Sequence, residues 1–195
     1  MKLLFAFFIL SFSLTAFAET NEIEELNPFD ANIEEKLLEL DRKYEAATGK
    51  SAIIEDTASY IEACYGRSCP VYIEVTKATQ TAMLFVEGAL EAQWPVSTGV
   101  DGHRTPNFDR NPNGRIYDEY SSTAYPGGDY NGLGNMPYAV FISGGFAIHG
   151  TPRGNWSRLG TRASHGCIRL HPDNGYRFNR LVRSVGIKST WITVH

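Results

Sequence analysis

The residues in this chain best suited to covalent chemistry are one cysteine and one histidine, eighteen positions apart. Cys167 lies in a Ser-His-Gly-Cys run, and His149 lies in an Ile-His-Gly run. A thiol is nucleophilic only as the thiolate, and a histidine that is close in space can take its proton. Glycines beside both residues allow backbone and substrate to approach closely. The pattern predicts nucleophilic catalysis with Cys167 as nucleophile and His149 as general base.

The neighbours of Cys167 have types that suit supporting roles. His165 could tune the thiol or fix the loop, and we favour the structural role because one base suffices for the chemistry. Ser164 is expected to bond the loop backbone. The N–H groups of Cys167 and Gly166 are candidate oxyanion donors, and one such donor is worth about 3 kcal/mol in a hydrolase of another fold.

A metal site is the main alternative use of these side chains. Thiolate and imidazole are zinc ligands, and such a set is available in this part of the chain: His149, His165, Cys167 and His171. However, His165 and Cys167 are only two positions apart, unlike the usual spacing of zinc ligands. We therefore expect neither a metal nor a cofactor.

The same residues resemble a known family. His149, fourteen intervening residues and then Ser-His-Gly-Cys-Ile-Arg look like the signature of the L,D-transpeptidase (YkuD-type) catalytic domain. Arg169 stands where the family has Arg or Asn. The resemblance covers residues 70–195 and includes, in the family's order, five further segments: 76–80, 95–99, 104–106, 136–138 and 147–151.

The resemblance implies a fold, an activity and site residues. The fold would be a mostly β sandwich with a short helix. Cys167 would attack the L-to-D peptide bond of a tetrapeptide stem of peptidoglycan, release D-Ala and pass the thioester to an amine. The backbone carbonyl of Gly150 would orient His149, and Arg169 would shape the site or attract a substrate carboxylate. The third stem residue would be meso-diaminopimelate in a Gram-negative bacterium.

Three outcomes of this resemblance stay open at this point. The acceptor could be a second stem or a wall-anchored protein, which gives transpeptidation. Water as acceptor would make the chain an L,D-carboxypeptidase. A non-catalytic peptidoglycan-binding protein is a third possibility, although the retained Cys167 and His149 argue against it.

The N-terminus reads as an export signal. Met1 and Lys2 precede an apolar run at 3–14, and Ala16-Phe17-Ala18 invites cleavage after Ala18. The run is shorter than a membrane span needs, so an uncleaved anchor is the less favoured alternative. We expect an exported protein of the periplasm or cell envelope, with no membrane span after cleavage. Nucleic acid is a poor partner for an exported chain of net charge −4.

The cysteines and the charges divide the rest of the chain. Cys64 and Cys69 could pair in an oxidising compartment, or both could stay thiols. Residues 19–65 carry 13 acidic and 4 basic side chains, whereas residues 147–195 carry 1 acidic and 8 basic ones. The basic end could meet an anionic substrate, or the acidic part could fold against it. We expect a signal at 1–18, an acidic, partly helical extension at 19–69 and a catalytic domain at 70–195.

Periodicity predicts one clear helix in the extension. Asp30 or Asn32 could cap it, and Gly49 would end it after Thr48. Its apolar stripe is expected to pack on the catalytic domain, a partner-binding helix being the alternative, and consists of Ile33, Leu37, Leu40 and Tyr44. A second helix over 51–64 is less clear.

From residue 70 the pattern changes to short strands, which favours a mostly β sandwich or barrel. Strands are expected at 71–76, 81–86, 90–96, 138–142, 146–149 and 190–194, with a short one possible at 115–120. A helix over 172–185 would turn five side chains inward: Tyr176, Phe178, Leu181, Val182 and Val185. The tyrosines of the irregular segment 101–134, together with Met136 and Tyr138, would either line the substrate site or pack the loop.

Overall fold

The computed structural model describes residues 27–54, 64–120 and 129–195, which form two β-sheets and two α-helices. The predicted signal at 1–18 and most of the predicted helix at 51–64 lie outside these residues. No helix in the described ranges is long and apolar enough to cross a membrane. The elements are α1 (Ile33–Thr48), β1 (Val71–Thr76), β2 (Thr81–Val86), β3 (Ala89–Pro95), β4 (Phe108–Arg110), β5 (Val140–Ser143), β6 (Phe146–Gly150), β7 (Ile168–Leu170), α2 (Pro172–Val185) and β8 (Thr190–Val194).

The larger sheet has five strands in the order β3-β2-β1-β8-β4. Strand β1 lies at the centre, antiparallel to β2 and parallel to β8, so the last strand of the chain is inserted between β1 and the edge strand β4. Alternate side chains of β1 and β8 face inward, as period-two patterning requires. They meet the smaller sheet and helix α2 in one apolar core that includes Ile73, Leu84, Ile148, Ile168, Phe178, Val182 and Ile192.

The smaller sheet carries the residues of the site, in the order β5-β6-β7. Strands β5 and β6 form an antiparallel hairpin, and β7 runs parallel to β6. Its outward-facing residues enter a second apolar cluster, which we call the cysteine cluster: Leu37, Tyr44, Ala52, Tyr117, Tyr120, Met136, Ala139, Phe141, Ala147 and Cys167. Both faces of this sheet are therefore buried, and helix α1 supplies part of the cover on the cysteine side.

Helix α1 has the predicted bounds and the predicted inward stripe, with Leu37 and Tyr44 buried. Gly49 ends it in the left-handed conformation, at φ 67°. Asn32 occupies the N-cap position, as one of the two predicted candidates, but the cap bond itself is absent. The Asn32 side chain makes no cap hydrogen bond, and the Asp30 carboxylate pairs instead with the Lys36 ammonium group at 2.9 Å.

Helix α1 also carries a buried carboxylate that was not predicted, Asp41. It accepts hydrogen bonds from the Tyr117 hydroxyl and from Arg115 Nε, the latter at 3.0 Å. Arg115 also contacts the Glu34 carboxylate at 3.1 Å. These contacts dock α1 on the segment that follows β4.

Two expectations about secondary structure need correction, and two short strands were not predicted. Residues 115–120 do not form a strand, because only Arg115 and Ile116 make isolated pairs, with Ile53 and Val140 respectively. Ile53, near the expected start of the second helix, is not helical and forms a β-bridge with Arg115. Strands β4 and β7 were not expected, since three residues carry little periodic signal.

Helix α2 has the predicted bounds, but Tyr176 does not face inward. It is 49% exposed, and its ring meets the edge of Tyr138 with centroids 5.1 Å apart. The fully buried residue on this helix that was missed is Asn179. Its amide donates to the Tyr117 carbonyl at 2.9 Å, and its side-chain oxygen accepts from Arg183 at 3.1 Å. These hydrogen bonds offset the cost of burying the Asn179 amide.

Candidate active site

His149 lies on β6 with its ring buried and its orientation set by the next peptide group. Nδ1 is 2.6 Å from the carbonyl oxygen of Gly150. A carbonyl can only accept, so Nδ1 carries the proton and Nε2 keeps its lone pair. The family resemblance had implied this use of the Gly150 carbonyl, and the hydrogen bond agrees with it.

The environment of His149 keeps its ring neutral. Its pKa falls to about 3, chiefly because burial penalises the charged imidazolium. The hydrogen bond to Gly150 raises the pKa, and the charge of Arg169 lowers it. Arg169 is the partner of His149 in the register between β6 and β7. Burial therefore favours the neutral ring of His149 at neutral pH.

Cys167 immediately precedes β7 and lies on the same face of the sheet as His149. Strand pairs Ile148–Ile168 and His149–Arg169 set this arrangement, since side chains two apart in a strand share a face. The Cys167 side chain is 9% exposed, and its Sγ donates to the Gly145 carbonyl at 3.4 Å.

The loop before Cys167 is held by two hydroxyl groups. Ser164 Oγ donates to the Cys167 carbonyl at 2.5 Å and accepts from Gly166 N–H at 3.2 Å. Thr105 Oγ1 donates to the Gly166 carbonyl at 2.7 Å and accepts from Gly99 N–H at 2.9 Å. Ser164 therefore bonds the loop backbone as expected. Thr105 was missed as a site residue because it is remote in sequence.

Arg169 and His165 both contribute to the shape of this loop. Arg169 is buried, and its guanidinium donates to the Ala163 carbonyl at 2.8 Å. The His165 ring meets the ring of His103 edge-on, with centroids 5.1 Å apart. These contacts favour the loop-shaping role for both residues.

The expected wall residues are separated by the fold. Met136 is buried in the cysteine cluster, whereas Tyr138 is half-buried and packs on Tyr176. Tyr120, from the irregular segment, is buried in the cysteine cluster, and its pKa is raised mainly by burial and further by the negative charge of a Cys167 thiolate. Tyr120 was anticipated only as one of several loop tyrosines.

The remaining cysteines form a disulfide. Cys64 and Cys69 are joined just before β1, and Cys167 retains its thiol. Among the described residues, no three histidine, cysteine or acidic side chains converge in a way that could hold a metal ion. In the zinc alternative, His171 would be a ligand, but its ring accepts from Asp173 N–H at the start of α2 instead.

The family model of the YkuD L,D-transpeptidase catalytic domain matches residues 70–187, which is more than half of the chain. The chain belongs to this family. Solved structures of L,D-transpeptidases share the fold. One is LdtMt1 in complex with imipenem, at 22% identity and TM-score 0.52, covering 65% of this chain and 59% of that one. Another is an L,D-transpeptidase from Stackebrandtia nassauensis, at 17% identity and TM-score 0.50, covering 71% of this chain and 61% of that one.

These L,D-transpeptidase structures are longer than the region they share with this chain. The match spans about 59% and 61% of their lengths. A comparison with curated proteins gives no match. The likeness therefore establishes the family and the fold, and the site residues must be argued from this chain's own geometry.

One role that was predicted from the sequence for a residue of this L,D-transpeptidase site needs correction. Gly166 was a candidate oxyanion donor, but its N–H donates to Ser164 Oγ. The Ser164 hydroxyl also donates to the Cys167 carbonyl, so the Gly166 N–H is bonded within the loop. The N–H of Cys167 is the donor candidate that remains.

Close packing against α2 fixes the peptide that orients His149. A Cβ on Gly175 would lie 2.8 Å from Gly150 N and 3.1 Å from Gly150 Cα. A Cβ on Gly150 would in turn lie 2.9 Å from Pro172 Cα. Because these neighbours are backbone atoms, they cannot rotate away.

We expect Gly175→Ala to lower the free energy of unfolding by about 1–3 kcal/mol, the usual cost of overpacking. It should also reduce turnover at temperatures where the variant is folded, because the displaced Gly150 carbonyl no longer orients His149. Urea unfolding and product assays measure the two effects. Gly154→Ala is the matched control, since no atom lies within 4 Å of its added Cβ. Equal turnover in the two variants would contradict the positioning argument.

The neutral state of His149 predicts a pH-dependent stability. An exposed histidine has a pKa of 6.5, against about 3 for His149 in the folded protein. Between these values the unfolded chain binds more protons, so the free energy of unfolding should fall as the pH falls. This residue contributes at most about 1.4 kcal/mol per pH unit. Urea unfolding of wild type and His149→Gln from about pH 7 to about pH 4 isolates its share. Parallel curves for the two proteins would show that His149 is not the cause.

Proposed function

We propose that this chain is an exported cysteine L,D-transpeptidase that acts on the stem peptides of peptidoglycan. In this proposal residues 1–18 are a signal peptide, 19–69 an acidic extension and 70–195 the catalytic domain. The observation that carries the proposal is the bond between His149 Nδ1 and the Gly150 carbonyl, because it leaves Nε2 as a base on the face that Cys167 shares. The family membership supplies the substrate class.

The first half-reaction forms a thioester. His149 Nε2 accepts the Sγ proton as Cys167 attacks the carbonyl carbon of the bond between the third stem residue and D-Ala. The oxygen becomes an oxyanion near the Cys167 N–H, which is the remaining donor candidate. The C–N bond then breaks, and the proton on Nε2 goes to the departing amine of D-Ala. The acyl group stays on Sγ.

The second half-reaction transfers the acyl group to an amine. The acceptor nitrogen attacks the thioester carbon and gives its proton to His149 Nε2. The C–S bond breaks, a new amide forms, and the proton returns to the Cys167 sulfur. The acceptor is a second stem, which gives a 3-3 cross-link, or a wall-anchored protein. If water attacks instead, the product is a tripeptide stem and the enzyme is an L,D-carboxypeptidase.

The low pKa of His149 suits a mechanism without a resting ion pair. A ring whose pKa is about 3 does not hold the thiol proton at neutral pH unless a compensating charge develops. Proton transfer is therefore coupled to attack on the carbonyl. Burial of both groups also excludes water, which strengthens the hydrogen bonds that stabilise the oxyanion. The reaction needs neither a metal nor a cofactor.

Substrate would meet residues from the loops around the small sheet. Tyr138 and Tyr176 present an exposed aromatic surface next to the peptide that follows His149, because the Gly150 N–H donates to the carbonyl of Pro137 at 2.8 Å. The surplus of basic side chains in residues 147–195 would attract carboxylates of the stem. Arg169, which is buried, would shape the site rather than bind a carboxylate.

Export to the periplasm or cell envelope is part of the proposal. The Cys64–Cys69 disulfide is of the kind that persists in an oxidising compartment. Peptidoglycan stems are found outside the cytoplasmic membrane, so the proposed location and the proposed substrate agree.

Product analysis by mass spectrometry tests the function. Purified protein is incubated with disaccharide tetrapeptides, beside a Cys167→Ala control. We expect a dimer joined between two third-position residues, release of D-Ala, and neither product with Cys167→Ala. Tripeptide without dimer would assign carboxypeptidase activity. Unchanged substrate, from a protein whose Cys167 is alkylated normally, would overturn the proposal.

A further inference from the structure

A short segment before helix α1 lies against the residues that flank the proposed nucleophile. Residues 27–30, which we call the plug, precede α1 by two positions. A Cβ on Gly145 would lie 2.8 Å from Pro28 Cα and 2.8 Å from Ile33 Cγ1. The carbonyl of Gly145 is the group that accepts the hydrogen bond from Cys167 Sγ. The plug and the first turn of α1 therefore cover the backbone that binds Sγ.

The plug also covers the residue that precedes Cys167. Gly166 has φ +120°, a conformation that favours glycine, and a Cβ there would lie 3.2 Å from both Pro28 Cγ and Phe29 Cε2. The Phe29 ring meets the edge of Phe146, with centroids 5.2 Å apart. Attack requires a carbonyl carbon within about 3–3.5 Å of Sγ. The space beside Gly145 and Gly166 is filled, and Cys167 is only 9% exposed.

The plug and the helix behind it are held by different kinds of contact. Helix α1 is anchored by the buried carboxylate of Asp41, which bonds Tyr117 and Arg115. Pro28 and Phe29 contact the catalytic domain through carbon atoms, and neither side chain has a group that can hydrogen-bond to it; Pro28 is buried, and Phe29 remains 47% exposed. Segments with few buried contacts open at lower free energy than those with many. The plug can therefore open while α1 stays docked.

We propose that residues 27–30 close the Cys167 site in the resting protein and lift away from Gly145 and Gly166 to admit substrate. The stem peptide as substrate rests on the function proposed above. The control of thiol access does not, because it concerns only the contacts of Pro28 and Phe29. The extension of this L,D-transpeptidase would thus limit the rate at which its own nucleophile is exposed.

Alkylation of Cys167 by iodoacetamide, a small neutral reagent, measures thiol access without any substrate. The full chain is compared with the Pro28→Gly/Phe29→Ser double variant, with Phe29→Leu and with Leu38→Ser. Leu38 is the matched control, since it is 53% exposed on α1. The cysteines of the disulfide do not react under non-reducing conditions. Thermal unfolding of each protein identifies any variant whose thiol reacts only because the chain has unfolded.

We expect the double variant to alkylate about tenfold faster than wild type, since it loses the packing of the buried Pro28 and the half-buried Phe29 against Gly166. The alkylation rate of Phe29→Leu should be near that of wild type, and the rate of Leu38→Ser should equal it. The rate of product formation from tetrapeptide stems should rise in the same variant. If the folded double variant alkylates at the rate of wild type, the proposal that the plug closes the Cys167 site is overturned.

The two proposals fail in distinguishable ways. Faster alkylation with no product from any protein would leave the plug standing and overturn the stem-peptide function. Normal product formation with unchanged alkylation would leave the function standing and overturn the plug. Faster alkylation with slower product formation would make Phe29 a substrate-binding residue, and would overturn gating as its role.

Discussion

Replacement of Cys167 by serine is expected to reduce product formation by at least about a thousandfold. Serine has nearly the same size, so the buried site should still fold. Its hydroxyl is far less acidic than a thiol, so transfer of its proton to His149, whose pKa burial lowers to about 3, is much less favourable. Mass spectrometry should detect an acyl adduct on the wild-type protein during turnover and none on Cys167→Ser.

The disulfide offers the matched control for this substitution. A Cys64→Ser/Cys69→Ser variant removes two sulfur atoms that lie just before β1, outside the cysteine cluster. It should lose stability but keep its chemistry at temperatures where it is folded. Turnover by Cys167→Ser at a rate near that of wild type would place the nucleophile elsewhere and contradict the mechanism.

The elements that were predicted correctly are those whose signals are local. Helices α1 and α2 carry apolar stripes at helical spacing and end at Gly49 and Gly186, and both have the predicted bounds. Strand β1 alternates, and its inward residues Ile73 and Val75 are buried. Such periodicity follows from backbone geometry alone, so one sequence is enough to detect it.

The placement of His149 and Cys167 on one face of the small sheet was predictable because chemistry and spacing agree. Parallel strands need a crossover connection of about a dozen residues or more. The chain between Gly150 and Ile168 provides it, so that His149 and Cys167 reach neighbouring strands on one face. The glycines and the serine of the loop then suit close backbone packing, and Ser164 does bond that backbone.

The contacts that were missed join residues that are remote in sequence. Thr105 holds Gly166 across 61 positions, and nothing near either residue indicates this. Asp41 gave a weak signal, since a carboxylate four residues after Leu37 interrupts the inward face of α1 and so needs a partner. That the partners are Arg115 and Tyr117 follows only from the tertiary structure. The placement of Pro28 over Gly166 has the same origin.

Replacement of His149 by glutamine is expected to lower turnover by about a hundredfold to ten-thousandfold, the range usual for a general base. Glutamine fills similar space, and its amide can still donate to the Gly150 carbonyl. It cannot accept the thiol proton and return it to the leaving amine, so both half-reactions should slow. His195→Gln is the matched control, because His195 is an exposed histidine whose ring contacts Glu74 and Thr76 rather than the loop of Cys167.

The pH profile distinguishes loss of the base from simple loss of structure. Without His149, the thiolate must form by ionisation to solvent, so the residual rate of His149→Gln should rise with pH toward the pKa of the buried thiol. A merely destabilised enzyme would instead keep the wild-type profile at a lower amplitude. If His149→Gln retained wild-type turnover and profile, another group would have to move the proton. His165 would then be the first residue to test, since it precedes Cys167 by two positions and its ring lies against His103.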